Sequence, residues 1–267
     1  MSHQILDFLA TLHISHSHAR GIAGTDKLIE LLACRAGENI LEIGFGTGAT
    51  LVQLASLYPD TRFFGCEASE VMYAKATQRI KFCRLQDKLQ LKLADSQQKY
   101  PFEDHSFDKI YLESVLAIQE GEDLRKAFLE IQRILKPHGT LLFNETIWLD
   151  QTKAELLQTI NRDCKAAFGI IQANAEYPHL EDWKQLLLEL RFEVKDIIRL
   201  VEIPVAKRSK YYFPQAVLSR LFTLFGKLKV YHPTFKKEWV AYLKKMKGLI
   251  PGNTPVMEGI IIKACKV

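Results

Sequence analysis

The sequence predicts a doubly wound α/β fold, a seven-stranded mostly parallel sheet with helices on both faces, its last strand antiparallel, and a helical cap. Three observations point to it. Short β-rich runs alternate with stretches of helical periodicity as far as Glu145. A glycine turn, Gly44-Phe45-Gly46-Thr47-Gly48, follows the first run and opens into a helical pattern. A final apolar run, Met257–Cys265, returns after a long excursion with no crossover helix directly before it.

Taken in order, Asn39–Ile43, Arg62–Glu67, Lys88–Leu93, Phe107–Glu113 and Gly139–Glu145 are the first five strands. Leu51, Leu54, Ala55 and Tyr58 recur at helical spacing after the first, and Leu124, Phe128, Ile131 and Leu135 before the fifth. Lys136-Pro137-His138-Gly139 then stops the helix and turns the chain. Thr152–Phe168 and Leu180–Leu190 read as helices and Phe192–Leu200 as a sixth strand. Met257–Cys265 enters antiparallel, at or near an edge. Pro204, Pro214, Pro233, Pro251 and Pro255 punctuate the excursion, which suits an inserted cap better than a linker. The expected organisation is one domain over 1–267: an N-terminal arm and cap (1–38), a core (39–200), an inserted basic aromatic cap (201–255) and the last strand (256–267).

Hydrophobic residues make up 48% of the 267 and charged residues 25%, enough for a full core. No apolar run approaches the roughly 20 residues of a membrane span, and the start carries no secretory pattern. Cys34, Cys66, Cys83, Cys164 and Cys265 are scattered and never in C-x-x-C spacing. A reduced, cytoplasmic compartment is expected. The net charge of +5 hides an asymmetry: Lys207 to Lys247 holds 11 basic residues and one acid, Glu238, leaving 25 basic and 30 acidic residues elsewhere.

The glycine turn suits two ligands. Gly44, Gly46 and Ala49 fit the G-x-G-x-x-G/A spacing of a dinucleotide turn, whereas Gly44, Gly46 and Gly48 fit a tighter pattern with Glu42 ahead of it. Both readings place backbone N–H groups at a helix start and ask for an acid after the second strand, which Glu67 supplies. Four further features separate them: Asp95-Ser96 after the third strand, Tyr100–Tyr111 into the fourth, Glu130–Gly139 before the fifth, and the late last strand. No Y-x-x-x-K occurs, which removes a short-chain reductase.

In that order these features resemble the class I S-adenosylmethionine-dependent methyltransferases, which share a Rossmann-like core, in the broad group that modifies small molecules. The resemblance is close over Gly21–Glu145 and only in outline beyond. It implies S-adenosyl-L-methionine as cofactor. Glu42 and the turn with Gly44, Phe45, Gly46 and Gly48 would meet its methionine part, Glu67 and Ala68 the ribose, and Asp95 with Ser96 the adenine. Leu116 lies where the family packs a residue against the cofactor, with Glu113 just before it. The family's frequent histidine pair is replaced here by Ala117 and Ile118, so no catalytic histidine can be placed there. His18–Thr25 resembles the glycine-containing segment that many of these enzymes close over methionine and substrate.

Methyl transfer needs donor and acceptor held in line and water kept out. A base is needed only where the acceptor must lose a proton. His16 and His18 are candidates, set against solvated residues on an N-terminal arm, with His3 and His13 in the same plain role. Glu145 sits at the sheet's carboxyl edge, where a helix-capping role competes. Cys66, Cys265 and Cys164 read as core thiols. No set of metal ligands can be nominated. No Asn/Asp-Pro-Pro-Tyr and no Pro-Cys follows the fourth strand, so nucleic-acid bases are not expected targets.

The basic segment interleaves its cations with nine aromatics. Val217, Leu218, Leu221, Leu224, Phe225 and Leu228 form one apolar helical stripe, and Phe235, Trp239, Tyr242 and Met246 a second. Three readings stand: a packed lid with a solvated basic face, a surface for an anionic membrane or amphiphilic substrate, and a nucleic-acid face. The expected function is methyl transfer to a small lipophilic or anionic acceptor. The alternative is a non-catalytic module that keeps the cofactor fold for partner or membrane binding.

Overall fold

The computed structural model describes residues 4–94, 99–249 and 255–267. Seven strands form one sheet: β1 (Asn39–Ile43), β2 (Arg62–Glu67), β3 (Leu89–Leu93), β4 (Phe107–Glu113), β5 (Leu135–Trp148), β6 (Phe192–Arg199) and β7 (Met257–Lys266). Their order is β3-β2-β1-β4-β5-β7-β6. The first five pair in parallel, while β7 runs antiparallel to both β5 and β6. The last strand thus enters one place in from the edge, against a long β5 that offers nine partners from Thr140 to Trp148.

Strand alternation builds both faces of the sheet. Leu41, Ile43, Ile110, Leu112, Phe143 and Ile262 pack into one cluster with α5 (Glu122–Ile134) and α7 (Leu180–Glu189). Ile40, Tyr111, Leu142 and Ile261 join the opposite cluster with α2 (Gly21–Leu32), α3 (Ala49–Leu57) and α4 (Glu70–Phe82). The α4 helix starts where Ser69 accepts the Met72 N–H at 3.1 Å, and Arg79 and Lys81 occupy its last turn.

The fifth strand starts at Leu135, four residues before the expected Gly139. Leu135 pairs with Phe107 and Thr140 with Lys109, so Lys136–Gly139 is accommodated as a bulge, with His138 at φ +60°. The turn chemistry is present inside the strand.

Three further helices lie at the carboxyl edge of the sheet: α1 (Gln4–Thr11), α6 (Ala154–Phe168) and α9 (Pro233–Leu249). With α8 (Ala216–Leu228) they form the cap. Of the apolar stripe on α8, Leu218 packs against the core and the rest points out. Val217, Leu221, Leu224, Phe225 and Leu228 are exposed, and Ala216, Ser219, Phe222 and Gly226 are buried. Small residues decide this face: a Cβ on Gly226 would lie 2.3 Å from His13 Cβ, so the N-terminal arm packs directly on the α8 backbone. The second stripe does turn inward, with Tyr242 stacked edge-on to Phe168 at 5.6 Å.

Candidate active site

Strand order reverses between β1 and β4, which places a crevice at their carboxyl ends. A cavity of about 1380 Å³ opens there, larger than the roughly 300–1,000 Å³ of a typical small-molecule pocket. It has room for a cofactor and an acceptor together. Its floor is the glycine turn. Gly44, Gly46 and Gly48 have φ of +73°, +52° and +74°, a region that glycine enters without strain. A Cβ on Gly44 would strike Val115 Cγ2 at 2.3 Å, whereas one on Gly46 would meet nothing closer than Met72 Sδ at 4.0 Å. Gly46 therefore leaves the backbone open to a ligand, and it lines the cavity with Gly44.

Glu67 at the end of β2 joins the two loops. Its Oε2 accepts the Gly46 N–H at 2.8 Å, and its Oε1 the Ala68 and Ser69 N–H groups at 2.9 and 3.0 Å. Burial raises its pKa, and the three amides pull it back. Three of about four acceptor positions are filled, leaving one on Oε2. Glu67 and Ala68 both face the cavity.

Four expected cofactor contacts lie elsewhere. Glu42 is buried behind the turn and accepts from Tyr111 Oη at 2.7 Å; burial holds its pKa well above the ordinary carboxylate range. It is not in the cavity wall. Phe45 and Leu116 are also buried and point into the core. The neighbours Val115 and Ala117 reach the wall instead. Gly48 starts α3 against Ala76 and stays behind the turn. Asp95 and Ser96 lie outside the described residues.

Glu145, weighed as a base, holds a loop. Its Oε1 accepts the Val115 and Leu116 N–H groups, both at 2.8 Å, and its Oε2 that of Ala117 at 3.1 Å. Burial pushes its pKa up to about 7 against these donors. The carboxylate shapes the segment after β4: two amides fill Oε1, and Oε2 keeps one acceptor position.

His13, His16 and His18 are not on a solvated arm, and His3 lies outside the described residues. His18 Nε2 lies 3.1 Å from Glu113 Oε2 and 3.0 Å from Thr25 Oγ1, and its Nδ1 lies 3.2 Å from Asn144 Nδ2. Thr25 and Thr50 both donate to Glu113, at 3.0 and 2.8 Å. Both ring nitrogens are engaged, Nδ1 lying also 3.3 Å from the Ala19 carbonyl oxygen. His18 and Glu113 face the cavity, while His16 stands behind, its ring 6.0 Å from that of His18. His13 is clasped by α8, stacked at 4.3 Å on Phe222. Cys164 is buried beside the cavity, and burial raises its thiol pKa to about 11.

Charge and polarity divide the wall. Among the described residues it carries seven carboxylates (Asp7, Glu67, Glu70, Glu113, Asp123, Glu130, Glu145) and two lysines, Lys99 and Lys126. Such a wall suits a cation and opposes a pyrophosphate. Towards the cap it becomes apolar, with Ile5, Leu6 and Leu9 from α1, Phe168 from α6, and Tyr242 and Met246 from α9. Thr47 Oγ1 donates to Ile14 O at 2.8 Å and Ser69 Oγ to Asp7 Oδ1 at 3.0 Å, fastening the arm over the crevice.

Residues 40–139, which hold the turn, Glu67 and Glu113, match the family model described as a methyltransferase domain. This match and the fold indicate a class I S-adenosylmethionine-dependent methyltransferase. A solved [4+2]-cyclase, SpnF, shares this methyltransferase fold with a TM-score of 0.66 at 20% identity, over 99% of this chain and 94% of that one. An uncharacterised protein of Haemophilus influenzae is 30% identical over 156 residues, 58% of this chain and 61% of its own. The methyltransferase str2 of Strobilurus tenacellus is 26% identical over 171 residues, 63% of this chain and 58% of its own. The chain thus matches about three-fifths of the length of these curated relatives. S-adenosylmethionine is the cofactor of this methyltransferase family, and a glycine floor beneath an acidic wall fits its sulfonium and amino groups.

Two site features escape sequence reading. Asp26 accepts from Gln53 Nε2, Ser209 Oγ and Lys210 N, pinning the start of the basic segment to α2. Arg79 is fully buried between the turn and the cap. Both sit in helical stretches whose pattern marks them as ordinary surface positions.

Proposed function

We propose that this chain moves the methyl group of S-adenosylmethionine to a small lipophilic acceptor held under the cap. The observation that carries the reading is one cavity with two different ends, glycine turn and carboxylates at one and aliphatic and aromatic side chains at the other. The methyl group comes from a sulfonium, whose positive charge disappears as the new bond forms. An acidic, enclosed wall holds that cation, and the apolar end excludes water and orients the acceptor.

In this reading the Gly44–Gly46 backbone holds the methionine part and the free position on Glu67 receives a ribose hydroxyl. Val115 and Ala117, held by Glu145, press on the cofactor from the β4 side. Asp95 and Ser96 remain the sequence's candidates for the adenine end. The excess of carboxylates argues against an anionic acceptor. The His18–Glu113 pair faces the acceptor space and serves as the polar anchor of the arm. Both ring nitrogens already have partners, so a role as base needs one of them released.

Calorimetry with S-adenosylhomocysteine, followed by transfer of labelled methyl from S-adenosylmethionine into a total lipid extract, tests both halves. Binding and label in the organic phase are expected. Absence of binding removes the cofactor reading; binding with label only in water-soluble acceptors removes the lipophilic one. Glu67→Ala should weaken S-adenosylhomocysteine by about 1.5–3 kcal/mol, the worth of hydrogen bonds to a charged group. Unchanged affinity would take Glu67 away from the ribose.

A further inference from the structure

Most of the outward face of α8 has no partner among the described residues; its one aromatic, Phe225, meets Phe82 edge to face with ring centroids 6.2 Å apart. Val217, Leu221, Leu224, Phe225 and Leu228 are between 37% and 58% exposed. At helical spacing they fall within a stripe about 100° wide, facing away from the buried Ser219, Phe222 and Gly226. Arg220 and Lys227 lie together along one border of that stripe and are exposed. The next helix continues the pattern: exposed Lys236, Val240, Leu243 and Lys247 share one side of α9.

The charge around this face is of one sign and unneutralised. Of the 11 cations from Lys207 to Lys247, Lys210 pairs with Glu30, and among the described residues no other forms an ion pair. The buried side of α8 already attaches the cap to the body, so packing does not account for the outward stripe.

We propose that α8 and α9 form a docking face for an anionic lipid bilayer, with the α8 stripe entering the headgroup boundary and the surrounding cations meeting acidic headgroups. Both halves of the surface are then used, as in amphipathic helices that lie in a membrane interface. A second copy of the chain is disfavoured, because it would bring two unpaired basic surfaces together. Nucleic acid would meet the cations and leave the aliphatic stripe in water. The inference stands apart from the reading of the acceptor. If both hold, the docked face adjoins the cavity, since α9 also supplies Tyr242 and Met246 to its wall.

Flotation of the full chain with phosphatidylcholine vesicles, with and without phosphatidylserine, tests the proposal. The protein should float with the phosphatidylserine vesicles at low salt and not with phosphatidylcholine alone. It should be released as salt shortens the Debye length below about 10 Å. Arg220→Gln with Lys227→Gln should weaken binding about five-fold per charge removed. Leu224→Gln with Leu228→Gln should weaken it roughly ten-fold at the same salt, by loss of inserted apolar surface. Both variants should bind S-adenosylhomocysteine as the parent does, which shows that they fold. Failure to float overturns the proposal, as does flotation indifferent to the leucines. Sedimentation velocity showing a dimer that the leucine variant abolishes would assign the face to a second copy and overturn it equally.

Discussion

His16 sits two residues from the ring that pairs with Glu113, with φ +55° and an Nε2 atom buried without a partner among the described residues. Burial pushes its pKa down to about 3, with His18, Arg79 and Lys227 adding repulsion. In the unfolded chain the same ring titrates near its ordinary value of about 6.5. Below that pH the unfolded state takes a proton that the native state refuses, so the unfolded state binds more protons and stability falls as pH falls. The window runs from about 6.5 down to about 3. His16→Phe removes this titration while keeping a ring and a non-glycine residue at positive φ. Thermal melts at pH 7, 6 and 5 should show the parent losing ground to the variant by up to about 1 kcal/mol per pH unit below 6.5. Parallel pH profiles would place the acid sensitivity elsewhere.

At the scale of elements, β1, β2 and β4 begin and end where the sequence pattern ends them, because each is a short apolar run bounded by turn residues. The start of β5 was hidden because Pro137 and Gly139 announce a turn that here is a bulge within the strand. The orientation of α8 was hidden for a different reason. Hydrophobic periodicity finds the stripe but not its direction, and the side that packs is chosen by small residues. Of the site, the glycine turn and Glu67 were legible as a motif. The duties of Glu145 and His18 were not, because they arise from loops brought together by the sheet. Gly226 tests the α8 interpretation. Gly226→Val would press a side chain onto His13 Cβ and Leu12 O, both within 2.4 Å of the new Cβ. The arm is held from several sides, so overpacking should cost about 1–3 kcal/mol. Urea melts should show that loss, whereas Leu224→Val on the outward stripe should cost almost nothing. Equal losses would mean that the outward stripe is packed in solution.

The whole molecule is fastened at Arg79, whose guanidinium is buried with no carboxylate beside it among the described residues. It donates to Thr47 O at 2.7 Å and Thr47 Oγ1 at 3.2 Å in the glycine turn. It also donates to His13 O at 3.2 Å in the arm, and to Ser219 O, Ser219 Oγ and Thr223 Oγ1 at 3.0 to 3.1 Å in α8. Its plane lies over Phe222, with Cζ 4.8 Å from the ring centroid. Burial lowers its pKa to about 10, so the group stays charged at neutral pH and depends on these acceptors in place of water. One side chain thus connects the floor of the cofactor site, the arm across its mouth and the cap, although it does not line the cavity itself. Arg79→Met keeps much of the apolar stem and leaves buried carbonyls short of donors, each worth about 1–3 kcal/mol. Two losses should appear together: a stability drop of a few kcal/mol in urea, and weaker S-adenosylhomocysteine binding under conditions where the variant is still folded. Arg79→Lys should recover part of the first, since an ammonium can still serve the turn. It should recover less of the second, because three donors cannot hold turn, arm and helix in one plane. A variant that loses stability but binds the ligand at full strength would show that the turn keeps its shape without the cap, and would reduce Arg79 to a fold contact.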